Sequence, residues 1–297
     1  MAYCTSSGVA SSFCGGRGCV WPGALFLQLE VDVVGEGYAY DHEWQEERVR
    51  LAGLEAALDA GTHSHLSRLG VTAGSRCLEV GAGGGSVAVW LAEAVAPTGL
   101  VVATDLETDF LENQAKDYPC LQVLRHDLIS EPLPTGFDVV HARWLIQWLP
   151  DKRAALKGMV NALRPGGALL IEEPDFVTVY HAAEPEELRR VTAAALRHLE
   201  QTTPVDTEYG RRALGDLRAV GLTDVRAEGR CPIVTGSDPL SRDFLRLTLE
   251  KVREPVLASG DVTEADYNEA VSVLQDPSVT IVAPMTVAAW GWRADQI

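Results

Sequence analysis

The sequence predicts an α/β protein in which a mostly parallel sheet lies between helices, and three observations carry that reading. The first is Arg76-Cys-Leu-Glu-Val-Gly-Ala-Gly-Gly-Gly85, where a short apolar run ends in glycines and an apolar helical pattern follows from Val87 to Val95. The second is the return of such apolar runs at Leu100–Asp105, Gln122–Leu128, Phe137–Arg143 and Ala168–Glu173. Near-continuous apolar runs suit strands buried on both faces, and their alternation with helices suits parallel crossover units. The third is an acid at the end of several runs, at Asp105, Asp127 and Glu172-Glu173. An acid at the tip of a buried strand is seldom filler, because burying a charge is costly unless it is paired or used.

Composition narrows the function classes. At 297 residues, with 46% hydrophobic and 7% aromatic content, the chain can hold one large domain with an ample core. Its net charge is −17. An acidic protein gains no counterion-release affinity for a phosphate backbone, so nucleic acid is not an expected partner. No apolar run approaches the ~18 residues of a membrane span, so no membrane partner is expected either. The six cysteines include no C-x-x-C pair, and no metal site is expected. Buried free thiols in a reducing cytoplasm are the favoured reading.

Residues 1–30, rich in Ser, Gly and Cys as far as about Pro22, show no periodicity and read as a disordered tail. The tail lacks the basic start and long apolar stretch of a signal peptide. Residues 31–69 read as an N-terminal helical cap. Trp44, Val49, Leu51, Leu54, Leu58 and Leu66 are spaced for amphipathic faces, with Gly53 and Gly61 as weak points or breaks. Tyr38 lies just before them in Gly35–Tyr40, a stretch suited to closing over a site.

The strand, glycine turn and helix at Arg76–Val95 bring backbone N–H groups and a helix N-terminus towards a ligand, and glycine removes the side chains that would block it. A dinucleotide fingerprint wants a third glycine where Ser86 stands. Glu79, two residues before Gly81, would repel a pyrophosphate but meet an ammonium group. Asp105 lies roughly 20 residues past the glycines, where nucleotide folds place a carboxylate on ribose hydroxyls. Gln122–Leu128 reads as a third strand ending in Asp127, and Phe137–Arg143 as a fourth, preceded by the turn Pro134-Thr-Gly136. Pro150-Asp151 opens a helix running to Leu163, and Arg164-Pro-Gly-Gly167 caps it and leads into the fifth strand.

Taken in order, Glu79-x-Gly81-x-Gly83-x-Gly85, Asp105, Asp127 and the helix, Leu163-Arg-Pro-Gly-Gly167, strand sequence resemble the motifs of class I S-adenosylmethionine (SAM)-dependent methyltransferases. The resemblance spans about Leu66 to Asp175. The branch it resembles most is that of ubiquinone/menaquinone biosynthesis enzymes, with many relatives in bacterial natural-product pathways. Val140-His-Ala-Arg143, Trp148-Leu-Pro-Asp151, Glu172-Glu-Pro-Asp175 and Thr286-Val-Ala-Ala-Trp290-Gly291 carry that likeness. It implies a Rossmann-like fold, a seven-stranded mostly parallel sheet flanked by helices, with an N-terminal helical cap and helical insertions. Residues 70–297 would form the SAM-binding domain, with insertions at about 176–205 and 238–278.

The resemblance also implies site residues. Glu79 would lie near the methionine portion of SAM, Gly81, Ala82, Gly83 and Gly85 close to its backbone and ribose, and Asp105, with Leu106 beside it, on the ribose diol. Asp127 would bond the adenine amino group with Leu128 beside the ring, while His141 and Arg143 would lie near the methionine end and the transferred methyl. For the acceptor, His181 is the first choice of general base, since imidazole titrates near neutral pH, with Glu173 and Tyr38 as further catalytic candidates. Tyr38, Trp144 and Trp148 are candidates to stack on a flat apolar acceptor.

The expected activity is methyl transfer to a small, mostly apolar or aromatic molecule, indole- or phenol-like, in specialised metabolism in the cytoplasm. Alternatives are a non-transferring SAM-binding regulator or scaffold, a macromolecule methyltransferase, and a dinucleotide-dependent oxidoreductase, the last disfavoured by Ser86. The insertions suit either a lid or a homo-oligomer contact, and the sequence leaves both open.

Overall fold

The apolar run Arg76–Val80 forms β1, an inner strand of a seven-stranded sheet, in a computed structural model that describes residues 46–181, 185–235 and 238–295. The other strands of this sheet are β2 (Leu100–Asp105), β3 (Leu121–Arg125), β4 (Phe137–Arg143), β5 (Leu163–Asp175), β6 (Thr223–Arg230) and β9 (Met285–Trp292). Two short strands, β7 (Ile233–Val234) and β8 (Ile281–Val282), pair separately. The main sheet runs β3-β2-β1-β4-β5-β9-β6, parallel except that β9 is antiparallel to both β5 and β6. Strand order reverses between β1 and β4, and a crevice opens at the carboxyl ends of strands at such a point. The predicted mostly parallel, seven-stranded α/β architecture is the one observed.

Side chains alternate across the sheet with the strand period of two. Leu78, Val140 and Leu169 join one apolar layer with α4 (Lys152–Ala162) and α7 (Gly210–Ala219). Cys77, Val139 and Leu170 face the other, with α2 (Ser86–Val95) and Leu66 of α1 (Glu47–Arg68). Burial pushes the Cys77 thiol up to about 12, which fits an inert core cysteine. The short helix α3 (Asp109–Ala115) follows β2.

Two expectations about local structure need correction. Helix α1 runs unbroken through Gly53 and Gly61. Both glycines are close-approach points. A Cβ on Gly53 would lie 2.2 Å from the Leu240 carbonyl oxygen, and one on Gly61 would lie 2.5 Å from Arg230 Nη1. Helix α1 therefore crosses α8 (Pro239–Lys251) at backbone contact. We expect Gly53→Ala to destabilise by roughly 1–3 kcal/mol through overpacking, despite alanine's ~1 kcal/mol better helix propensity. A thermal melt checks this, and a raised Tm would show that the crossing yields. The second correction concerns Arg164–Gly167, which does not lie between helix and strand but inside β5. Phe137 pairs with Leu163 and Val139 with Ala168, so the four residues loop out as a bulge with Gly166 at φ +72°.

The segments read as insertions form α5 (Val177–His181), α6 (Glu186–Thr202), α8, α9 (Arg253–Ser259) and α10 (Glu264–Gln275). Leu188, Val191 and Leu199 of α6 pack with Leu249, Val256, Tyr267, Leu274 and Ile281 into a second core. Asp238 caps α8 by accepting from Ser241 N, and Thr263 with Asp266 forms a capping box on α10. Among the described residues no helix is long and apolar enough to cross a membrane. The tail, Tyr38 and the stretch Gly35–Tyr40 lie outside the described residues.

Candidate active site

After β1 the chain turns through Gly81, Gly83 and Gly85 at φ +69°, +53° and +95°. This is backbone that glycine adopts without strain. Gly81 N and Ala82 N donate to Thr104 O at 2.8 and 3.0 Å, and Gly83 N donates to Asp105 Oδ2 at 2.8 Å, so the tip of β2 holds the turn. A Cβ on Gly85 would press Leu111 and Gln114 of α3, whereas one on Gly83 would meet only Leu51 Cδ2 at 3.8 Å and otherwise stand in open space. Gly85 serves packing, and Gly83 keeps the floor of the crevice open.

Above that floor lies a cavity of about 600 Å³. On the side of β1, β2 and β3 it is lined by Glu79, Gly81 to Gly84, Asp105, Leu106, Asp127 and Leu128, with Arg143 from β4. Towards β5 and the inserted helices the lining turns apolar, with Trp144, Trp148, Phe176, Leu196, Phe244 and Leu249. The cofactor candidates other than Gly85 and His141, and two of the acceptor candidates, therefore share one cavity. His126, 7% exposed, also lines it, and neither ring nitrogen has a partner.

His141 is fully buried and does not line the cavity. It stands beside Glu79 in the β1–β4 register, and its Nδ1 lies 2.7 Å from Glu79 Oε2. Nε2 lies 3.4 Å from Glu172 Oε2; Glu172 Oε1 is 2.8 Å from His65 Nδ1, and His65 Nε2 is 2.6 Å from Glu228 Oε1. Thr62 Oγ1 donates to Glu172 as well. A row of alternating carboxylates and imidazoles, buried from Glu79 to His65 and ending at the partly exposed Glu228, thus runs from the cavity wall to α1 and β6. Burial alone would lower the His141 pKa, but Glu79 and Glu172 outweigh it and raise the imidazole to about 9. Burial likewise opposes ionisation of Glu172, and the two imidazoles overcome it, holding its carboxyl far below the usual range. Arg143 Nη1 donates to Asp59 Oδ1 at 2.9 Å and Thr62 Oγ1 at 3.0 Å, which ties α1 to the same wall.

Glu173 takes a different part from the predicted one. It is fully buried, does not line the cavity, and accepts from Leu145 N, Ile146 N and Gln147 N at 3.2, 2.8 and 3.1 Å. Burial pushes its carboxyl up to about 8 against the pull of those three donors. With both oxygens given to the backbone it shapes the turn after β4 instead of reaching an acceptor. That turn sets Trp144 at φ +55°, a strained conformation for a tryptophan, with its indole N–H 3.2 Å from Thr286 Oγ1 and its ring edge-on to Phe176 and Phe244. His181 ends α5, and its side chain lies outside the described residues. Asp127 spends its carboxylate partly on Ile129 N and Ser130 Oγ, which lower its pKa.

Several lining residues escaped the sequence reading: His126, Gln147, Phe176, Phe244 and Thr248. The network partners Asp59, Thr62 and His65 escaped it too. His126 adjoins a strand-end acid and Gln147 adjoins the tryptophans, which were usable signals. Phe244 and Thr248 arrive through tertiary packing of α8 and carry none.

This donor set fits SAM. Glu79 offers a carboxylate for an ammonium, the glycine turn removes side chains where a backbone-hugging ligand would lie, and Asp105 and Asp127 stand at successive strand ends. Residues 78–169 match a family model described as a methyltransferase domain. The chain is 30% identical over 142 residues to "Methyltransferase str2" of Strobilurus tenacellus, covering 46% of this chain and 49% of that protein. It is 30% identical over 115 residues to a ubiquinone/menaquinone biosynthesis C-methyltransferase of Hahella chejuensis, covering 36% and 46%. The chain therefore spans less than half the length of either relative. In fold it is similar to a crystal structure titled as a putative sarcosine dimethylglycine methyltransferase from Galdieria sulphuraria, with TM-score 0.51, 15% identity and coverage of 88% and 93%. The motif order, the sheet topology and the sequence match agree: residues 78–169 match a methyltransferase domain, set in a fold of the class I SAM-dependent methyltransferase type.

Proposed function

We propose that the chain methylates a small, mostly apolar or aromatic acceptor, indole- or phenol-like, in specialised metabolism, acting in the cytoplasm. The observation that carries the reading is the junction within one cavity of a carboxylate-and-glycine half with a half walled by Trp144, Trp148, Phe176 and Phe244. Bound SAM would supply a methyl group on a sulfonium, its C–S bond breaking as the acceptor's lone pair forms the new bond, with the acceptor's proton taken up by a base. Glu79 would hold the ammonium end, Asp105 the ribose hydroxyls, and Asp127 with Leu128 the adenine. Arg143, already fixed by Asp59 and Thr62, presents its guanidinium near the methionine end. The tryptophan turn positions the acceptor and excludes water, so alignment supplies most of the rate. His181 and Tyr38 remain the proposed bases, because Glu173 is engaged by three backbone N–H groups.

The test is S-adenosylhomocysteine (SAH) release from SAM across indoles, phenols, amines and prenyl compounds, with calorimetric SAM binding alongside. Turnover on one apolar class is the expected result. Binding without turnover on any of them favours the regulator or scaffold reading, and absence of SAM binding overturns the proposal.

A further inference from the structure

Resting on that reading, the geometry points to an acceptor that is a neutral apolar ring carrying one hydrogen-bond donor, O–H or N–H, with Gln147 as the residue that selects it. Gln147 belongs to the 3₁₀ turn Ile146–Trp148 after β4 and lines the cavity. Its backbone is pinned on both sides, N donating to Glu173 Oε2 at 3.1 Å and O accepting from Asp206 N at 3.0 Å. The side-chain amide nitrogen is directed to Trp144 O at 3.5 Å, which assigns the other amide atom as the carbonyl oxygen. That oxygen is buried and has no partner, on a residue only 2% exposed. Thr248 Oγ1, from α8, is a second buried oxygen on a cavity-lining residue without a partner.

A buried acceptor atom left unpaired is costly, and a ligand donor that meets it recovers the loss. Around Gln147 the wall is apolar, with Trp144, Trp148, Leu149 and Val205. The three arginines that line the cavity are already paired, Arg189 of α6 with Glu186 at 3.6 Å. Arg50 makes a bidentate pair with Glu47 at 2.8 and 2.7 Å, and Arg143 is held by Asp59 at 2.9 Å. An anionic acceptor would therefore have to break a formed ion pair, whereas a neutral donor can pair with the Gln147 oxygen once the amide turns towards the cavity. A neutral amide accepts the hydrogen bond but not the proton, which passes to the proposed base when the methyl group arrives. If the donor is also the methylated atom, its O–H or N–H becomes O–CH₃ or N–CH₃, the bond to Gln147 is lost, and product leaves more readily than substrate binds.

The test uses the full chain saturated with SAH and two probe pairs, indole against 1-methylindole and 2-naphthol against 2-methoxynaphthalene, titrated by calorimetry. Each donor-bearing probe is expected to bind about tenfold tighter than its methylated partner, the worth of one hydrogen bond to a desolvated oxygen. Gln147→Leu and the closer-shaped Gln147→Met should each erase that preference while still binding SAH, which reports an intact fold. Equal binding within both pairs in the unaltered protein, persistence of the preference in both variants, or SAH binding with no probe binding overturns the inference. Failure to bind SAH overturns the proposed function first and this inference with it.

Discussion

Replacing Glu172 with leucine is expected to cost roughly 3–5 kcal/mol and to be the most damaging single substitution in the row of buried charges, because it leaves imidazolium groups without their shared counter-charge. Glu172 is 3% exposed and accepts from Thr62, His65 and His141, so three elements, α1, β4 and β5, lose a common anchor. Denaturant unfolding measures the loss, and a change within the range of an ordinary surface substitution would show that the row of charges contributes little. The same row makes stability depend on pH with a defined sign. His141 is raised from 6.5 to about 9 in the folded protein, so its contribution is complete below pH 6.5 and disappears as pH climbs through 9. That interval is worth roughly 3 kcal/mol, since each tenfold gain in proton affinity on folding contributes about 1.4 kcal/mol. Glu172 works in the opposite sense. Its carboxyl is held well below 4.5, so its contribution is present above that value and lost on acidification. The contribution of this row should therefore be greatest between about pH 5 and 6.5, and its alkaline decline should shrink in the leucine variant, which lacks one of the groups that raise His141; Glu173, raised to about 8, adds a separate loss as pH climbs from 4.5 through 8.

Asp105→Ala is expected to lower affinity for SAM and SAH on the order of 100-fold, the loss of one or two charge-assisted hydrogen bonds in a partly closed site. Its carboxylate has a second task, since Oδ2 accepts from Gly83 N and Oδ1 from Glu107 N at 3.3 Å, so the substitution also loosens the turn under the ligand. Asp105→Asn separates the two effects. The amide keeps an oxygen for Gly83 N but lacks the charge, and should recover loop order while restoring affinity only in part. Calorimetry with SAH reads both variants, and unchanged affinity in Asp105→Ala would remove this carboxylate from the binding site. Asp127→Ala should have a smaller effect, because that carboxylate is already partly spent on Ile129 N and Ser130 Oγ.

The parts of this molecule governed by local chemistry were legible in its sequence. A strand followed by glycines, with acids at the ends of successive strands, dictates the β1–β4 crevice because apolar runs and positive-φ turns act over a few residues. What escaped depends on distant residues meeting. Gly53 and Gly61 read as helix weaknesses because the neighbours that require them, Leu240 and Arg230, are remote in the chain. Glu173 read as a candidate base because nothing local reveals that a following turn takes both of its oxygens. His141 and Arg143 were placed together by the family resemblance and share one face of β4, yet His141 lies within the sheet against Glu79 and Glu172 while Arg143, at the strand's carboxyl end, lines the cavity. The apolar acceptor wall was only half visible. Trp144 and Trp148 stand out by type, whereas Phe244 and Thr248 come from α8, whose place over the crevice is set by its crossing with α1.

The position of β9 has a consequence for how the protein is made. β9 lies between β5 and β6 and hydrogen-bonds to both, although β6 is synthesised first and α8, α9 and α10 follow before Met285 emerges. On the ribosome β6 cannot join the sheet until the strand that bridges it to β5 has been translated, and β5 waits with an open edge for the same partner. Open edges invite pairing with other nascent chains. β6 also remains the edge strand of the finished sheet, and Asp224, Arg226, Glu228 and Arg230 alternate along it, a pattern of charges that discourages pairing with other chains before and after the last strand slides in.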